Sequence, residues 1–373
     1  MKIVVIASLP SSLVNFRGQL LVALVKAGHE VHAVAPGLVM DLQTKARLDA
    51  MGISGHDIAM TRTGLNPLAD LRTLFALQRL LRAIAPQATL GYTIKPVIWG
   101  SLAAAMAGVP RRFALITGLG YAFTGSVKGK RRLVQTVARW LYRRALARCE
   151  LVFFQNPDDQ QVFRDLDLLP ATARSVVVNG SGVDTLAFAP ALLPALPVQF
   201  LLIARLLGDK GIREYAEAAD LVRARHPDIG CHLVGGADSN PDAIDSAEIA
   251  KWVAAGTLIA HGELSDVRPS IAACHVYVLP SYREGTPRTV LEAMAMGRAI
   301  ITADAPGCRE TTQSGVNGYL VPVADAAALA EAMLKFVDHP ELIARMGQQS
   351  RQIAEEKYDV HKVNVQILAE MNL

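Results

Sequence analysis

One segment of the chain combines a strand end, a loop and a helix: Leu279-Pro-Ser-Tyr-Arg-Glu-Gly-Thr-Pro-Arg-Thr-Val-Leu-Glu-Ala-Met-Ala-Met-Gly297. A buried strand, Val276–Pro280, ends in this segment. Thr286 and Pro287 suit the N-cap and the first helical position, and Gly297 suits the position after the helix. A buried strand followed closely by a well-bounded helix is typical of a parallel α/β sheet.

The same alternation extends over the rest of the chain. In the first half the predicted strands are Ile3–Ser8, Val31–Ala35, Thr89–Thr93, Phe113–Thr117, Leu151–Gln155 and Ser175–Asn179. In the second half they are Val198–Ala204, Cys231–Val234, Leu258–Ala260, Val276–Pro280, Ala299–Thr302 and Gly318–Val321. Helical patterns separate them, for example Gly18–Ala27, Leu68–Ala85, Ile212–Arg225 and Ala326–Val337. The pattern predicts two Rossmann-like, doubly wound parallel-sheet domains.

The domain boundaries follow from length and proline content. A chain of 373 residues is long enough for two domains. Three prolines stiffen residues 188–197, which we interpret as a linker. The predicted domains are therefore residues 1–187 and 198–356. Parallel sheets bind ligands beyond the carboxyl ends of their strands, so we expect a site in a cleft between the domains.

Composition excludes several classes of protein. Hydrophobic residues make up 51% of the chain and charged residues 19%, which excludes disorder, collagen and coiled coil as the main architecture. No stretch approaches the roughly 18 apolar residues that a membrane span needs. The four cysteines form no CxxC or CxxH pair, so a disulfide framework and a cysteine-pair zinc site are excluded and a reducing, cytosolic location is expected. They are Cys149, Cys231, Cys274 and Cys308.

Charge is distributed unevenly. Residues 1–149 contain 20 Lys and Arg against 5 Asp and Glu, a formal charge of +15. Residues 150–373 contain 18 against 29, a formal charge of −11. The basic half predicts a partner with phosphate groups: nucleic acid, an anionic membrane or a phosphorylated substrate.

Charged side chains follow two predicted strands of the second half. Arg205 and Lys210 come after one strand, where a guanidinium and an ammonium suit a diphosphate. Glu284 and Glu292 flank the start of the helix in the opening segment, and their carboxylates suit sugar or ribose hydroxyls. The N-terminus of that helix adds an anion site. Together these groups predict a nucleotide-sugar site.

Glu284 through Glu292 form an E-x7-E motif, and the chain resembles the retaining glycosyltransferases of family 4, which have the GT-B architecture. The resemblance covers essentially the whole chain. It includes the segments Ala204–Gly211, Leu233–Gly236, Leu279–Gly297, Ala305–Glu310 and Asn317–Tyr319. The forms Glu-Gly-Thr-Pro-Arg and Leu-Val-Gly-Gly-x-Asp-x-Asn-Pro are similar to a narrower group. That group transfers N-acetylhexosamines from UDP-sugars to polyprenyl-diphosphate-linked sugars, as the N-acetylgalactosaminyltransferases of bacterial protein N-glycosylation do.

The resemblance implies a role for individual residues. In the reaction, Arg205 and Lys210 hold the donor diphosphate and Glu284 contacts the donor sugar. The residues expected to bind the donor are Gly235, Gly285, Thr286, Thr289, Val290 and Glu292. Those expected at the acceptor or the cleft are Asn15, Arg17, Lys95, Gly118 and Tyr121. The family usually has Phe-Gly at 286–287, and Pro287 has no N–H to offer the donor. The resemblance also implies that a C-terminal helix, about 357–373, returns to the first, acceptor-binding domain. No metal-ligand cluster is evident in the sequence, so we expect the cations to do the work of a metal and expect no cofactor beside the UDP-sugar.

A basic stretch in the first half predicts docking to an anionic membrane. Its predicted docking residues are Lys128, Lys130, Arg131, Arg132, Arg139 and Arg143. The apolar residues Leu133, Val137, Trp140 and Leu141 share one helical face, onto which Arg144 and Arg148 return, so the helix is not cleanly amphipathic. The alternative is a core-packed helix with a solvated basic face. We favour docking on lipid over nucleic acid, for which no recognition motif is present.

The predicted function is a retaining transfer of a sugar, an N-acetylhexosamine, from a UDP-sugar to a lipid-diphosphate-linked acceptor. It would serve bacterial surface glycan or glycoprotein glycan assembly at the inner face of the cytoplasmic membrane. One alternative is a UDP-sugar epimerase of the same architecture. An epimerase needs an acid and a base beside the sugar, and the scarcity of carboxylates in residues 1–149, which contain only five, disfavours it. The other is a non-catalytic nucleotide-sugar binding protein.

Overall fold

The chain forms two compact units. The computed structural model describes residues 1–61, 66–118, 130–238, 240 and 242–373, with residues 130–134 described by their backbone alone. One unit comprises Met1–Ser181 and Val363–Leu373, and the other comprises Gly182–Lys362. The stretch 188–197 lies in the second unit, where Phe188 and Ala191 pack against the core.

The first unit contains a parallel sheet of seven strands in the order β3-β2-β1-β4-β5-β6-β7. The strands are β1 (Lys2–Ile6), β2 (Glu30–Ala35), β3 (Ser54–Asp57), β4 (Ala88–Tyr92), β5 (Arg111–Ile116), β6 (Leu151–Phe154) and β7 (Ser175–Val177). Helices of this unit are α1 (Pro10–Asn15), α2 (Gly18–Lys26), α3 (Leu42–Ala50), α4 (Pro67–Ile84), α5 (Ser101–Met106), α6 (Lys130–Leu146) and α7 (Pro157–Asp165), with a π-helical turn at Pro96–Gly100.

Helices cover both faces of this sheet. Ile3 and Val5 of β1 pack in one core cluster with α2, whereas Val4 and Ile6 pack in another with α4 and α5. This alternation is the period of two that a strand buried on both faces requires. Helix α5 contacts both α4 and α6, so the three helices lie side by side on one face.

The second unit contains a parallel sheet of six strands in the order β10-β9-β8-β11-β12-β13. The strands are β8 (Gln199–Ile203), β9 (Gly230–Val234), β10 (Ile259–Ala260), β11 (Val276–Leu279), β12 (Ala299–Ala303) and β13 (Gly318–Val321). The helices are α8 (Ile212–Arg223), α9 (Ser246–Ala254), α10 (Arg268–Ala272), α11 (Arg288–Ala295), α12 (Ala326–Asp338) and α13 (Glu341–Ile353).

The last helix, α14 (Val360–Glu370), begins in the second unit and continues in the first. Val363, Ile367 and Met371 pack in the same core cluster as Ile3 and Val5. Arg111 donates a hydrogen bond to the Met371 carbonyl at 2.5 Å. These contacts attach the end of the chain to the first sheet.

Both strand orders have the 3-2-1-4-5-6 arrangement of the Rossmann fold, which confirms the predicted fold class. Each predicted strand is present within one or two residues of its predicted ends. Strand β3 was missed because Ser-Gly-His-Asp has no apolar run; it pairs with β2 at the edge of the sheet. No helix in the described ranges is both long and apolar enough to cross a bilayer.

The predicted start of helix α11 was wrong by one residue. Pro287 is extended, with ψ 105°, and serves as the N-cap, so Arg288 rather than Pro287 is the first helical residue and Thr286 precedes the cap. A proline side chain accepts no hydrogen bond, and no side-chain cap bond is present at this N-terminus. Gly297 follows the helix with φ +75°, as predicted.

Candidate functional site

The predicted donor residues lie at the point where the strand order of the second sheet reverses. Strands β8 and β11 are neighbours, and the chain moves from β8 toward one edge and from β11 toward the other. Arg205 and Lys210 follow β8, and Glu284 follows β11. Open α/β sheets bind ligands at this switch point, beyond the carboxyl ends of the strands. The fold therefore gathers the predicted cations and the predicted carboxylate at one edge.

Lys210 and Glu284 form the central ion pair of this edge. Lys210 Nζ lies 2.7 Å from Glu284 Oε1, and their side chains are 11% and 20% exposed. Ser281 Oγ lies 2.9 Å from the same oxygen. Burial opposes the charge of Lys210, but the carboxylates of Glu284 and Asp209 outweigh it, so the pKa of Lys210 is raised. Lys210 therefore keeps its positive charge at neutral pH.

Two glycines let the loops of the edge approach each other closely. Gly211 has φ +71°, and a Cβ there would lie 2.3 Å from the Pro280 carbonyl oxygen. Gly307 has φ +81°, and a Cβ there would lie 2.2 Å from the Glu284 carbonyl oxygen. Only glycine adopts this backbone and leaves this space. Gly307 was not among the predicted site residues, although it lies in the Ala305–Glu310 segment that carries the resemblance.

Arg205 is paired with an acid that was not among the predicted site residues, although it lies in the Leu-Val-Gly-Gly-x-Asp-x-Asn-Pro form. Its Nη1 donates to Asp238 Oδ2 at 2.8 Å, and Arg205 is the more exposed of the two. Gly235 follows β9 directly, and a Cβ there would lie 2.0 Å from the Ala204 carbonyl oxygen. The predicted glycine is thus needed for the two loops to approach, which in turn places Asp238 beside Arg205.

The residues at the start of helix α11 form hydrogen bonds within the helix and to strand β11. Val290 N–H donates to the Pro287 carbonyl at 3.1 Å, and the Thr289 hydroxyl accepts from Tyr277 at 2.7 Å. Arg288 Nε donates to Glu292 Oε1 at 2.8 Å. Burial raises the pKa of Glu292, and the charge of Arg288 partly opposes that shift. The donor roles of Thr289, Val290 and Glu292, and those of Gly285 and Thr286, stay predictions.

In the first unit, Asn15, Arg17 and Lys95 follow β1 and β4, the two strands between which the switch point lies. Arg17, at the N-cap of α2, is buried with its guanidinium carbon 5.3 Å from the centre of the Tyr92 ring. Asn15 ends α1, and its side chain accepts from Arg47 at 3.4 Å. Gly118 follows β5 with φ +140°, and Tyr121 is outside the described residues.

Lys95 does not present a free charge to an acceptor. Its Nζ is buried and donates to Asp70 Oδ1 at 2.8 Å and to Thr61 Oγ1 at 2.7 Å. Asp70 is on α4, whereas Lys95 follows β4. The sequence suggested no acid near this edge, because Asp70 reaches it from a helix rather than from a strand end.

In the basic stretch, helix α6 packs on the core with a face other than the apolar face described from the sequence. Helix α6 buries two alanines, a tyrosine and a leucine, namely Ala138, Ala145, Tyr142 and Leu146. Val137 and Trp140, predicted to share an apolar face, are exposed, because the alanine-lined face allows close packing on the π-helical turn and α5. Arg139 is half-buried, and Arg143 is exposed and pairs with Asp167 at 2.5 Å. Lys128 and the side chains of Lys130, Arg131 and Arg132 lie outside the described part.

Two family models match the chain. A glycosyl transferase 4-like domain matches residues 15–180, and the glycosyl transferases group 1 model matches residues 197–339. The first match contains strands β2 to β7, and the second contains strands β8 to β13.

One curated relative matches nearly the full length of the chain, and another matches about three quarters of it. The chain is 28% identical, over 92% of its length and 91% of theirs, to the N,N'-diacetylbacillosaminyl-diphospho-undecaprenol alpha-1,3-N-acetylgalactosaminyltransferase of Campylobacter jejuni. It is also 28% identical to the UDP-Gal:alpha-D-GlcNAc-diphosphoundecaprenol alpha-1,3-galactosyltransferase of Escherichia coli, over 73% of this chain and 71% of that one.

Solved structures share the fold. A sucrose-phosphate synthase from Thermosynechococcus elongatus superposes with a TM-score of 0.81 at 17% identity, covering 100% of this chain and 98% of that one. Anabaena HepE in complex with UDP superposes with a TM-score of 0.75 at 18% identity, covering 100% of each chain. With both domain models matched in order, the chain belongs to the family 4 glycosyltransferases of the GT-B fold.

Proposed function

We propose that this glycosyltransferase transfers a sugar, an N-acetylhexosamine, from a UDP-sugar to a lipid-diphosphate-linked sugar with retention of configuration. The observation that supports the proposal best is the meeting of Arg205, Lys210 and Glu284 at the switch point of the second sheet. The Campylobacter relative acts on a diphospho-undecaprenol-linked sugar, and the Escherichia relative uses UDP-galactose by name.

The charges of the site suit a leaving diphosphate. In the proposed reaction the bond between the sugar anomeric carbon and the β-phosphate oxygen breaks, and its electron pair remains on UDP. Lys210 and Arg205 stabilise the charge that develops there, and such stabilisation is commonly the largest catalytic contribution. Glu284 keeps Lys210 in place, and its carboxylate suits a sugar hydroxyl as a hydrogen-bond acceptor.

Retention follows if the acceptor attacks from the face that UDP leaves. The acceptor hydroxyl oxygen forms the new bond to the anomeric carbon, and its proton passes to the departing phosphate oxygen. We further propose that this step needs no divalent metal, since the two cations are placed to do the corresponding work. Within the described residues, no group of three or more His, Cys, Asp or Glu side chains is arranged to hold a metal ion.

We also propose that the first unit docks on an anionic membrane surface through helices α4, α5 and α6. Large apolar side chains are exposed on all three, namely Leu68, Leu71, Phe75, Met106, Val137 and Trp140. Residues 71–149 contain 14 Lys and Arg and no Asp or Glu. On α4, Arg72 and Arg79 fall within the same helical arc as the exposed Leu71 and Phe75. Exposed apolar groups interleaved with cations are typical of surfaces that lie on anionic lipid.

The first experiment measures UDP release from a panel of UDP-sugars, with and without polyprenyl-diphosphate-linked sugar, in the presence and absence of EDTA. Release that needs one donor and the lipid acceptor, and that survives EDTA, is the expected result. The anomeric configuration of the product, read by NMR coupling constants, tests retention. Donor conversion without acceptor would favour the epimerase, and tight UDP-sugar binding without turnover on any acceptor would favour a binding protein.

A further inference from the structure

We propose that Asp238 occupies the phosphate-binding side of Arg205 in the donor-free protein and is displaced when a nucleoside diphosphate binds. Asp238 is then a residue that sets donor affinity by competing with the ligand. The inference rests on the proposed donor role of Arg205.

The Arg205–Asp238 ion pair has a geometry in which a ligand can replace Asp238 as the partner of Arg205. Arg205 Nη1 lies 2.8 Å from Asp238 Oδ2, and the side chains are 55% and 19% exposed. The other oxygen, Asp238 Oδ1, accepts from the Asn240 backbone N–H at 2.9 Å. Asp238 is therefore held by its own loop, and Arg205 is the more solvent-exposed partner.

The backbone fixes this loop beside the Arg205 loop. Leu206 N–H donates to the Gly236 carbonyl at 3.2 Å, and Gly208 N–H donates to the Asp242 carbonyl at 2.9 Å. Ile244 N–H returns to the Leu206 carbonyl at 2.8 Å. Main-chain contacts on both sides of Asp238 therefore hold its loop beside the Arg205 loop.

The two ion pairs of the edge differ in how readily they exchange. Lys210 and Glu284 are mostly buried, so breaking that pair would leave a desolvated charge. The Arg205–Asp238 pair is half exposed, and pairs of that kind contribute little stability. A diphosphate offers the guanidinium a bidentate partner with more charge, so it can replace a single carboxylate oxygen. The displaced carboxylate then lies close to the phosphates and repels them.

The test is calorimetric binding of UDP and of uridine to the wild-type chain and to Asp238→Asn. The amide keeps the acceptor for Asn240 and removes the competing charge. We expect UDP to bind about fivefold more tightly, which is the value of an exposed ion pair of about 1 kcal/mol. Uridine, which has no phosphate, should bind both proteins equally. Glu248→Gln is the matched control, because it removes a carboxylate from the Arg213 pair of the same unit.

Two further variants test whether competition by the Asp238 carboxylate causes the change in UDP binding. Asp238→Glu keeps the carboxylate and should bind UDP as the wild type does. In an Arg205→Ala background, Asp238 has no guanidinium to occupy. Asp238→Asn should then tighten UDP binding at most by the repulsion that the carboxylate exerts on the phosphates. Unchanged or weaker UDP binding by Asp238→Asn would overturn the proposal and make Asp238 a residue that orients Arg205. Failure of the wild type itself to bind any UDP-sugar would overturn the proposed function as well.

Discussion

At the scale of single residues, the site depends on charges that are costly to bury and are used together. Lys210 and Glu284 offset each other in a largely desolvated position, and Asp209 adds negative charge nearby. Burial raises the pKa of Asp209, with the charge of Lys210 opposing that shift. Burying an ion pair of this kind contributes little to the free energy of unfolding. Its position at the switch point supports a role in ligand binding.

Replacing Lys210 by Met should lower kcat by about 10²- to 10³-fold, the usual cost of removing one group that stabilises a developing anion. It should also lower the free energy of unfolding by about 1–3 kcal/mol, because Glu284 is left without its cation. Adding Glu284→Gln should recover stability but not activity. The measurements are UDP release and urea unfolding. Lys251→Gln, on an exposed position of α9, is the control. Recovery of activity in the double variant would contradict the assigned role.

We expect Glu292 to lower the free energy of unfolding while it contributes to donor binding. Because its folded-state pKa is raised above the unfolded value, the folded state binds more protons, and stability falls as pH rises above about 4.5. Glu292→Gln should therefore stabilise the protein at pH 7, by about 1 kcal/mol, and the gain should vanish below pH 4.5. The donor KM should rise if Glu292 accepts from the ribose. Glu341→Gln, on an exposed carboxylate, should change neither. A destabilising effect at pH 7 would show that the Arg288 pair dominates.

At the scale of elements, the second and third strands of each sheet bring two histidines together. His32 Nδ1 lies 2.9 Å from His56 Nε2, and His232 Nδ1 lies 2.9 Å from His261 Nε2. The outer nitrogen of His32 faces Glu30, and that of His232 faces Gln199. Burial first, and the neighbouring histidine second, lower the pKa of His56 and of His232. A neutral pair can share one proton, whereas a doubly charged pair repels.

Acid should therefore destabilise both sheets at these positions. A histidine whose folded pKa is lowered contributes stability that is present above pH 6.5 and is lost as the pH falls below that value. The free energy of unfolding should drop between pH 7.5 and 5.5, by about 0.5 kcal/mol or less per pair after solvent screening. His232→Gln and His56→Gln should each flatten this slope, measured by urea unfolding. His339→Gln, at an exposed position, should leave it unchanged. An equal slope in all variants would exclude the pairs as its source.

Most elements were predictable, because strands buried on both faces are continuous apolar runs whatever the rest of the chain does. The edge strand β3 was not, because its half-exposed residues are polar. The ion pairs were not predictable either. Asp238 and Arg205 are 33 residues apart, and Asp70 and Lys95 are 25 apart, so their meeting depends on loop packing rather than on spacing. The buried face of α6 was missed for a related reason: two alanines lie on it beside Tyr142 and Leu146, whereas the large apolar side chains of Val137 and Trp140 lie outside it.

At the scale of the whole molecule, positive charge is concentrated in the half of the chain that folds into the first unit. The acid-free range 71–149 includes α5 and α6 and all but the first turn of α4, the three helices with exposed apolar side chains. The second half has a formal charge of −11. An anionic surface would therefore attract one half and repel the other, which would orient the molecule on a membrane.

This separation predicts how the protein binds vesicles. Vesicles containing phosphatidylglycerol should sediment the wild-type chain at 50 mM NaCl, and phosphatidylcholine vesicles should not. Binding should weaken at least tenfold at 500 mM NaCl, because the Debye length falls to a few ångströms.

Leu71→Ser with Phe75→Ser should weaken vesicle binding further at either salt concentration, since the apolar contribution is lost. Leu221→Ser is the matched control: Leu71 and Leu221 are both 46% exposed on helices, but Leu221 lies on α8 of the acidic half. Equal loss in the control, or binding that is indifferent to lipid charge, would contradict docking through α4–α6. UDP release with a short-chain, water-soluble acceptor should stay unchanged in every one of these variants, which separates failure of docking from failure of catalysis.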